Sequence, residues 1–456
     1  MAASVRARFE SRSATLRGVV PLASDIELQA RALLFDDRRT LRFSGADSSA
    51  SGQDASLRLV GKGAWQFDVL GYVQARDFTN VVISSTSFRK TLDQRATPST
   101  GLGTKIELRP PLGDEHPLRL GADWRRASGT MFETAFSAAS GAITARRSAG
   151  GRNDDLGFFA EGDRSFGPLR LTASVRADRW SINEGRFTEI NGAGLVTANR
   201  IYPDHAGWAG SLRGGAALDL GGGLALRGAG YSGLRQPTLN ELYRPFVVFP
   251  VTTRANAALA NERLRGFEAG IDLRPGKGIE LALTAFDNRI KGAIANVTIG
   301  TNLRERQNLD AVHARGLEAQ VRASHGPFEW DGSLSLVDAK VEASGAALPL
   351  DGKRPAQVPE FSAATTLRWR PAQGWLLAAS LRHVSSQFED DLGIDSLPAA
   401  TTLDAWASVP LGQRLSLILR GENLTDARVI TRNQAGSIDL GAPRTFWAGL
   451  RISMGR

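Results

Sequence analysis

Cysteine is absent from the 456 residues. Its absence removes disulfides, thiolate metal sites and cysteine nucleophiles together. An oxidising route to the periplasm suits such a chain, because no stray thiol can mispair there. No run approaches the ~18 consecutive apolar residues of a spanning helix, so any membrane crossing must use strands, which hide lipid-facing residues among polar ones. The segment 1–20 carries Arg6, Arg8, Arg12 and Arg17 and has no apolar core of the signal-peptide kind. Histidine is scarce and scattered, at His116, His205, His313, His325 and His383. No His-Glu-x-x-His, nucleophile elbow or Walker spacing occurs, so enzymatic chemistry finds no set of residues to use. The string Gly228-Ala229-Gly230-Tyr231-Ser232-Gly233 fits a dinucleotide fingerprint only as letters. It lies within a strand pattern and leads to Arg235-Gln236-Pro237 rather than to a helix. No cofactor is expected.

What is present is period two, almost everywhere. In 168–180, Leu169, Leu171, Ala173, Val175 and Ala177 alternate with Arg170, Thr172, Ser174, Arg176 and Asp178. The same alternation places Leu415, Leu417 and Leu419 against Arg414, Ser416 and Arg420, and Phe446, Ala448, Leu450 and Ile452 against Thr445, Arg451 and Ser453. About 19 such segments, mostly ~8–14 residues, run near the length that crosses a bilayer at a tilt. The 49 glycines and 19 prolines have no collagen-like period and suit many turns. Net charge is +9, yet the arginines are spread along the chain, which argues against nucleic acid as a partner.

The connections alternate in length. Short ones fall at 21–25, 61–64, 110–117, 164–167, 221–223, 274–277, 324–326, 371–373 and 410–413. Long ones are expected at 35–53, 77–100, 127–153, 181–205, 235–263, 291–311, 341–359, 387–400 and 423–443. Short turns on one side and long loops on the other is the layout of an outer-membrane barrel with its long loops outside. The fold class is therefore all-β, a transmembrane antiparallel β-barrel. Trp65, Trp124, Trp180, Trp208, Trp330, Trp375 and Trp447 near segment ends fit interfacial girdles.

Several motifs then carry a family resemblance. Gly233-Leu234-Arg235-Gln236-Pro237-Thr238-Leu239-Asn240-Glu241-Leu242-Tyr243 resembles the arginine-proline box of TonB-dependent receptors. Asn256-Ala257-Ala258-Leu259-Ala260-Asn261-Glu262 and Phe267-Glu268-Ala269-Gly270 resemble the box that follows it. Asn308-Leu309-Asp310-Ala311 with Arg315-Gly316-Leu317-Glu318, then Glu422-Asn423-Leu424-Thr425-Asp426 and Pro443-Arg444-Thr445-Phe446, match later strands in order. The resemblance is carried by motifs over 230–456 and by pattern alone over 1–229. Leu234, Gln236, Ala257 and Asn261 depart from the usual residues, and the chain ends on Met454-Gly455-Arg456 rather than on an aromatic.

The resemblance implies a Gram-negative outer-membrane receptor for TonB-energised uptake of a scarce nutrient, foremost a ferric siderophore. Cobalamin, another small ligand, or a passive porin-like or structural barrel are the alternatives. It also implies a 22-stranded whole, so 1–456 is expected to be the barrel portion, with signal peptide, plug and first strands missing. TonB would act through that plug, and outer-membrane lipid and a small-molecule ligand such as a ferric chelate are the other partners. No histidine lies between the two boxes, where haem receptors of the family carry a ligand, which disfavours haem. Arg235, Pro237, Glu241, Glu262, Glu268, Arg315, Gly316, Glu318, Asn423 and Asp426 are expected to be wall structure, with Glu262, Glu268 and Glu318 in lumen-side ion pairs. In the loop after Arg235, the residues Tyr243, Arg244, Phe246, Phe249 and Arg254 are the candidate ligand contacts, since arginine forks and aromatic faces suit a planar anionic chelate. Glu389, Asp390 and Asp391 form a carboxylate cluster whose hard oxygens would suit calcium.

Overall fold

The computed structural model describes residues 5–113, 117–248, 251–434 and 437–453. Twenty-one strands form one sheet. Two of them, Lys90–Ala96 and Val196–Ile201, are short pieces added to longer neighbours above the wall; without them nineteen wall strands remain. Each wall strand pairs antiparallel with the next in sequence, from Arg8–Pro21 to Thr445–Ile452. Among the described residues no ladder joins the first of these strands to the last. The strand count therefore matches the sequence pattern.

The alternation of side chains sets the two faces. Ile271, Leu283, Leu317, Leu334 and Leu336 are all exposed and lie on the outer face. Side chains of the opposite parity form an ion-paired inner face: Arg176 donates to Asp123 at 2.6 Å, Arg58 to Asp68 at 2.6 Å and Arg227 to Asp272 at 3.2 Å. Each such pair is worth little alone in a wet lumen, but together they oppose register slips that would turn charge toward lipid. Gly316 lies beneath the Phe286 ring of the opposed strand, and a Cβ there would overlap both the ring and the Leu336 carbonyl. An aromatic laid over a glycine in this way flattens the inner wall and restores the packing glycine lacks.

The nine short turns fall at one rim, as the spacing predicts. The long-loop rim differs in detail. The segments 35–53 and 127–153 are not loops: strands Ile26–Thr40 and Asp47–Gly61 are joined by 41–46 alone, and Leu118–Phe136 and Ile143–Phe166 by 137–142 alone. The sequence loses its apolar members there, at Asp36-Asp37-Arg38-Arg39 and Arg146-Arg147, while the backbone goes on pairing. Strands of this sort continue past the apolar zone, where the outer face no longer meets lipid and strict alternation is no longer needed.

Candidate functional site

The loop 236–261 leaves the strand Leu224–Arg235 and returns at Glu262, directly opposite Arg235. Pro237 begins it, fully buried, and its carbonyl accepts a hydrogen bond from Asn153 Nδ2 at 3.2 Å. Thr238 then caps the short helix Leu239–Tyr243. Its Oγ1 accepts from the Glu241 N–H at 3.2 Å, and Glu241 Oε2 accepts from the Thr238 N–H at 2.7 Å. This reciprocal capping box satisfies two N–H groups that a helix start leaves open. Glu241 also accepts from Arg235 Nη1 at 3.1 Å, while Arg235 Nη2 reaches Glu262 Oε1 at 2.9 Å. The same Glu262 oxygen accepts the Ile294 N–H at 2.7 Å, from the next long loop. One guanidinium thus fastens a strand end, a helix start and, through Glu262, a second loop. Burial alone would raise the Glu241 carboxyl, but the bonds from Arg235 and Thr238 outweigh it and hold the carboxyl below the ordinary glutamate value.

Beyond the helix start the loop turns inward. Leu242 and Tyr243, each 1% exposed, pack with Met131, Ala149, Ile182, Phe187 and Leu259 against the raised strands of the wall. The Tyr243 ring stacks on Tyr202 with centroids 5.0 Å apart, and it fills the space over Gly185, where a Cβ would overlap it. Arg244 donates to Gln94 Oε1 at 3.0 Å and to Glu133 Oε2 at 3.2 Å, and Glu133 is 1% exposed. Arg306, buried at 6% exposure, lies under the loop. It donates to the carbonyls of Arg244, at 3.1 Å, and Asn240, and its guanidinium is 5.0 Å from the centre of the Phe246 ring. Burial pushes its pKa down, with Glu241 opposing and Arg244 adding to the shift. Four loop strands, Phe246–Val248, Val251–Arg254, Ile294–Gly300 and Leu303–Asn308, form a separate small sheet above this layer.

These contacts show what the expected residues do within the loop. Tyr243 is core, Arg244 is an ion-pair partner of Glu133, and Phe246 lies against Arg306, so all three help to hold the loop. Arg254 is exposed and has no partner among the described residues. Phe249 lies outside the described residues. Of the motif carboxylates, Glu262 has its arginine, whereas Glu268 and Glu318 make no ion pair among the described residues. Arg315 pairs with Asp338 at 3.2 Å on the outer face. Asn423, at φ +48°, bonds the carbonyls of Ala427 at 2.9 Å and Ala442 at 3.1 Å, and Asp426 accepts the Arg444 N–H at 3.1 Å, so both organise the last long loop.

The carboxylate cluster is corrected as well. Asp390 accepts the N–H groups of Leu392, Ile394 and Asp395 at 2.9, 3.0 and 2.6 Å, which uses its lone pairs on the loop's own backbone. Burial pushes the neighbouring Asp391 carboxyl up, Arg304 opposes, and Asp390 adds to the rise. Glu389, Asp390 and Asp391 are not gathered as ligands, and no group of three metal-ligating side chains occurs among the described residues. Arg306, Glu133 and Gln94, which hold the site, carried no sequence signal. Their partners lie tens of residues away, and single charged residues in loops are ordinarily solvated.

A wide antiparallel wall, charged inside and apolar outside, with a pinned loop at one rim, defines a transmembrane β-barrel of the outer-membrane class. The family model described as "TonB dependent receptor-like, beta-barrel" matches residues 11–424, and the chain belongs to that family. No curated protein sequence matches it. Among solved structures, the copper transporter OprC is 15% identical at a TM-score of 0.76, covering 98% of this chain and 72% of its own. The ferric yersiniabactin uptake receptor FyuA from Yersinia pestis is 14% identical at 0.77, covering 98% and 71%. The ferric-catecholate import receptor Fiu from K12 E. coli is 13% identical at 0.77, covering 99% and 75%. At these identities the likeness shows the fold. The family and these neighbours are transport receptors of the Gram-negative outer membrane, not enzymes, and members bind TonB and small ligands.

Proposed function

We propose that this chain forms the wall of an outer-membrane receptor that takes up a ferric siderophore with energy from TonB. The observation that carries the proposal is the state of the rim. The loop 236–261 is pinned by Arg235 and packed by Tyr243, and Arg254 stands exposed and unpaired on the loop sheet above it. A fixed loop holding a free guanidinium is suited to an anionic chelate, because the fork can pair with carboxylate or catecholate oxygens without reordering the backbone. The net charge of +9 favours the approach of an anion. That two of the neighbours are receptors for ferric yersiniabactin and ferric catecholates supports an iron chelate as cargo.

The test is growth. A deletion strain complemented with the full-length gene is grown under iron restriction on a panel of ferric siderophores, with and without TonB. Growth on at least one chelate that requires both genes is expected. Rescue by cobalamin alone would reassign the cargo, and uptake that persists without TonB would replace the receptor by a passive barrel.

A further inference from the structure

Above the wall, the strand Val196–Ile201 has one neighbour. It pairs with 186–190 of the strand Leu169–Asn191, and no other ladder joins it among the described residues. The wall strand His205–Gly221 lies along the same side of Leu169–Asn191 but stops lower, with His205 opposite Ile182. The loop 236–261 turns inward instead of rising alongside, and Tyr202 stacks there on Tyr243. The second edge of Val196–Ile201 is therefore open.

The register fixes which backbone groups face that edge. In an antiparallel pair, opposed residues alternate between those that bond each other and those whose N–H and C=O point the other way. The Tyr202 N–H donates to the Gly185 carbonyl at 2.8 Å, so Arg200 and Ala198 also direct their backbones at Leu169–Asn191. Asn199 and Ile201 direct theirs at the open edge, where neither finds a backbone partner among the described residues.

The side chains leave this edge poorly guarded. Leu195, Val196 and Ile201 are exposed, at 66%, 62% and 86%. Lipid does not account for this. Leu169 lies at the short-turn rim, and at about 3.3 Å per residue and a tilt of about 40° residue 186 stands roughly 40 Å above it, beyond an apolar band of about 25 Å. Edges left to water are ordinarily blunted by charge, proline or a bulge. Here only Arg200 and the irregularity between Val196 and Ala198 are of that kind. Arg200, on the face opposite to Ile201, is exposed and has no acid among the described residues.

We propose that the open edge of Val196–Ile201 is a docking site for an extended segment of a second polypeptide, which adds as an antiparallel strand. Its backbone pairs with Asn199 and Ile201, its apolar side chains lie beside Val196 and Ile201, and a carboxylate meets Arg200. Main-chain pairing supplies affinity and alternate side chains supply selectivity. A second copy of this chain is not that partner: barrels in one membrane point the same way, so their edges run in the same direction and cannot pair antiparallel. The proposal is independent of the cargo.

The experiment uses the full-length protein in detergent and a panel of short fluorescent peptides that alternate valine or isoleucine with threonine, with and without a central glutamate. Binding is read by anisotropy. Saturable binding of a glutamate-bearing peptide is expected. N-methylation of the peptide amides that face the edge should weaken it about tenfold, the weight of one or two hydrogen bonds. Asn199→Pro should do the same, because it removes an edge N–H and leaves the ladder to Leu169–Asn191 intact; unchanged amide exchange over 186–190 checks that the strand still forms. Replacing the peptide's glutamate by glutamine should weaken binding to the native protein but not to Arg200→Gln. Failure of every peptide to bind, or binding indifferent to both N-methylation and Asn199→Pro, would overturn strand addition. Self-association without peptide that Asn199→Pro abolishes would give the edge to a second copy and overturn the proposed partner.

Discussion

Replacing Tyr243 with alanine tests whether the arginine-proline box is packing or ligand contact. The side chain is 1% exposed, stacked on Tyr202 and seated over Gly185. Truncating a buried aromatic ring to alanine costs about 3–5 kcal/mol. Since the cluster joins one loop to the raised part of the wall, this cost falls on local opening of 236–261 rather than on the whole ladder. At about 1.4 kcal/mol per tenfold, amide exchange over that loop should speed by roughly two to three and a half orders of magnitude. The assay is hydrogen exchange read by mass spectrometry, comparing peptides from 236–261 with peptides from 169–180 in the wall, which should not change. Tyr243→Phe is the control: the hydroxyl makes no hydrogen bond among the described residues, so the cost should stay under about 1 kcal/mol. Gly185→Ala should cost about 1–3 kcal/mol by overpacking against the ring, and almost nothing once Tyr243 is alanine. Unchanged exchange in Tyr243→Ala, with ligand binding lost, would refute the packing role.

Arg235→Ala leaves Glu241 and Glu262 facing each other; with Arg235 partly exposed, about 1–2 kcal/mol of loop stability should go, seen as faster protease clipping within 236–261, and Arg235→Lys should recover only part because it lacks the fork. The Glu241 carboxyl is held below its ordinary value in the folded loop, so its contribution is complete above the unfolded pKa of about 4.3 and is lost as pH falls through the lower folded value. Loop protection should therefore be flat from about pH 7 to 5 and decline below about pH 4; a decline on going from 5 to 7 would contradict it. Cysteines at Ala193 and Ser344 should react with an impermeant thiol reagent on intact cells, and cysteines at Gly222 and Gln373 should not; the reverse pattern would invert the barrel. Arg254→Ala should weaken binding of the transported chelate by about 1–3 kcal/mol with loop exchange unchanged, whereas Arg244→Ala should speed loop exchange whether or not ligand is present.

The wall was legible because its information is local. Alternation at Leu169 to Asp178, or at Leu415 to Arg420, states the face of each side chain without reference to any other strand. Turns such as 222–223 carry glycine at positive φ, at Gly222 and Gly223, and so mark the short rim. The rim strands were less legible for the same reason. Past the apolar zone, Asp36 to Arg39 and Arg146 with Arg147 keep the backbone ladder but lose the alternation, so strand and loop look alike in sequence.

The packing contacts that the sequence did not report in the loop 236–261 have a common physical cause. An aromatic and arginine-rich loop at a barrel mouth invites a binding role, but a loop of that length must first bury its own apolar groups and satisfy its own backbone. This loop spends its largest side chains on that task. Tyr243 finds Gly185 and Met131, Arg244 finds Glu133, and Phe246 finds Arg306, all at separations no periodicity reports. The groups left over for a ligand are those with no such partner, and Arg254 is the charged one in this loop. Binding capacity at this rim therefore follows from what the loop's own folding leaves unpaired, which is why Arg254, rather than the richer cluster before it, is the place to look for contact with an anion.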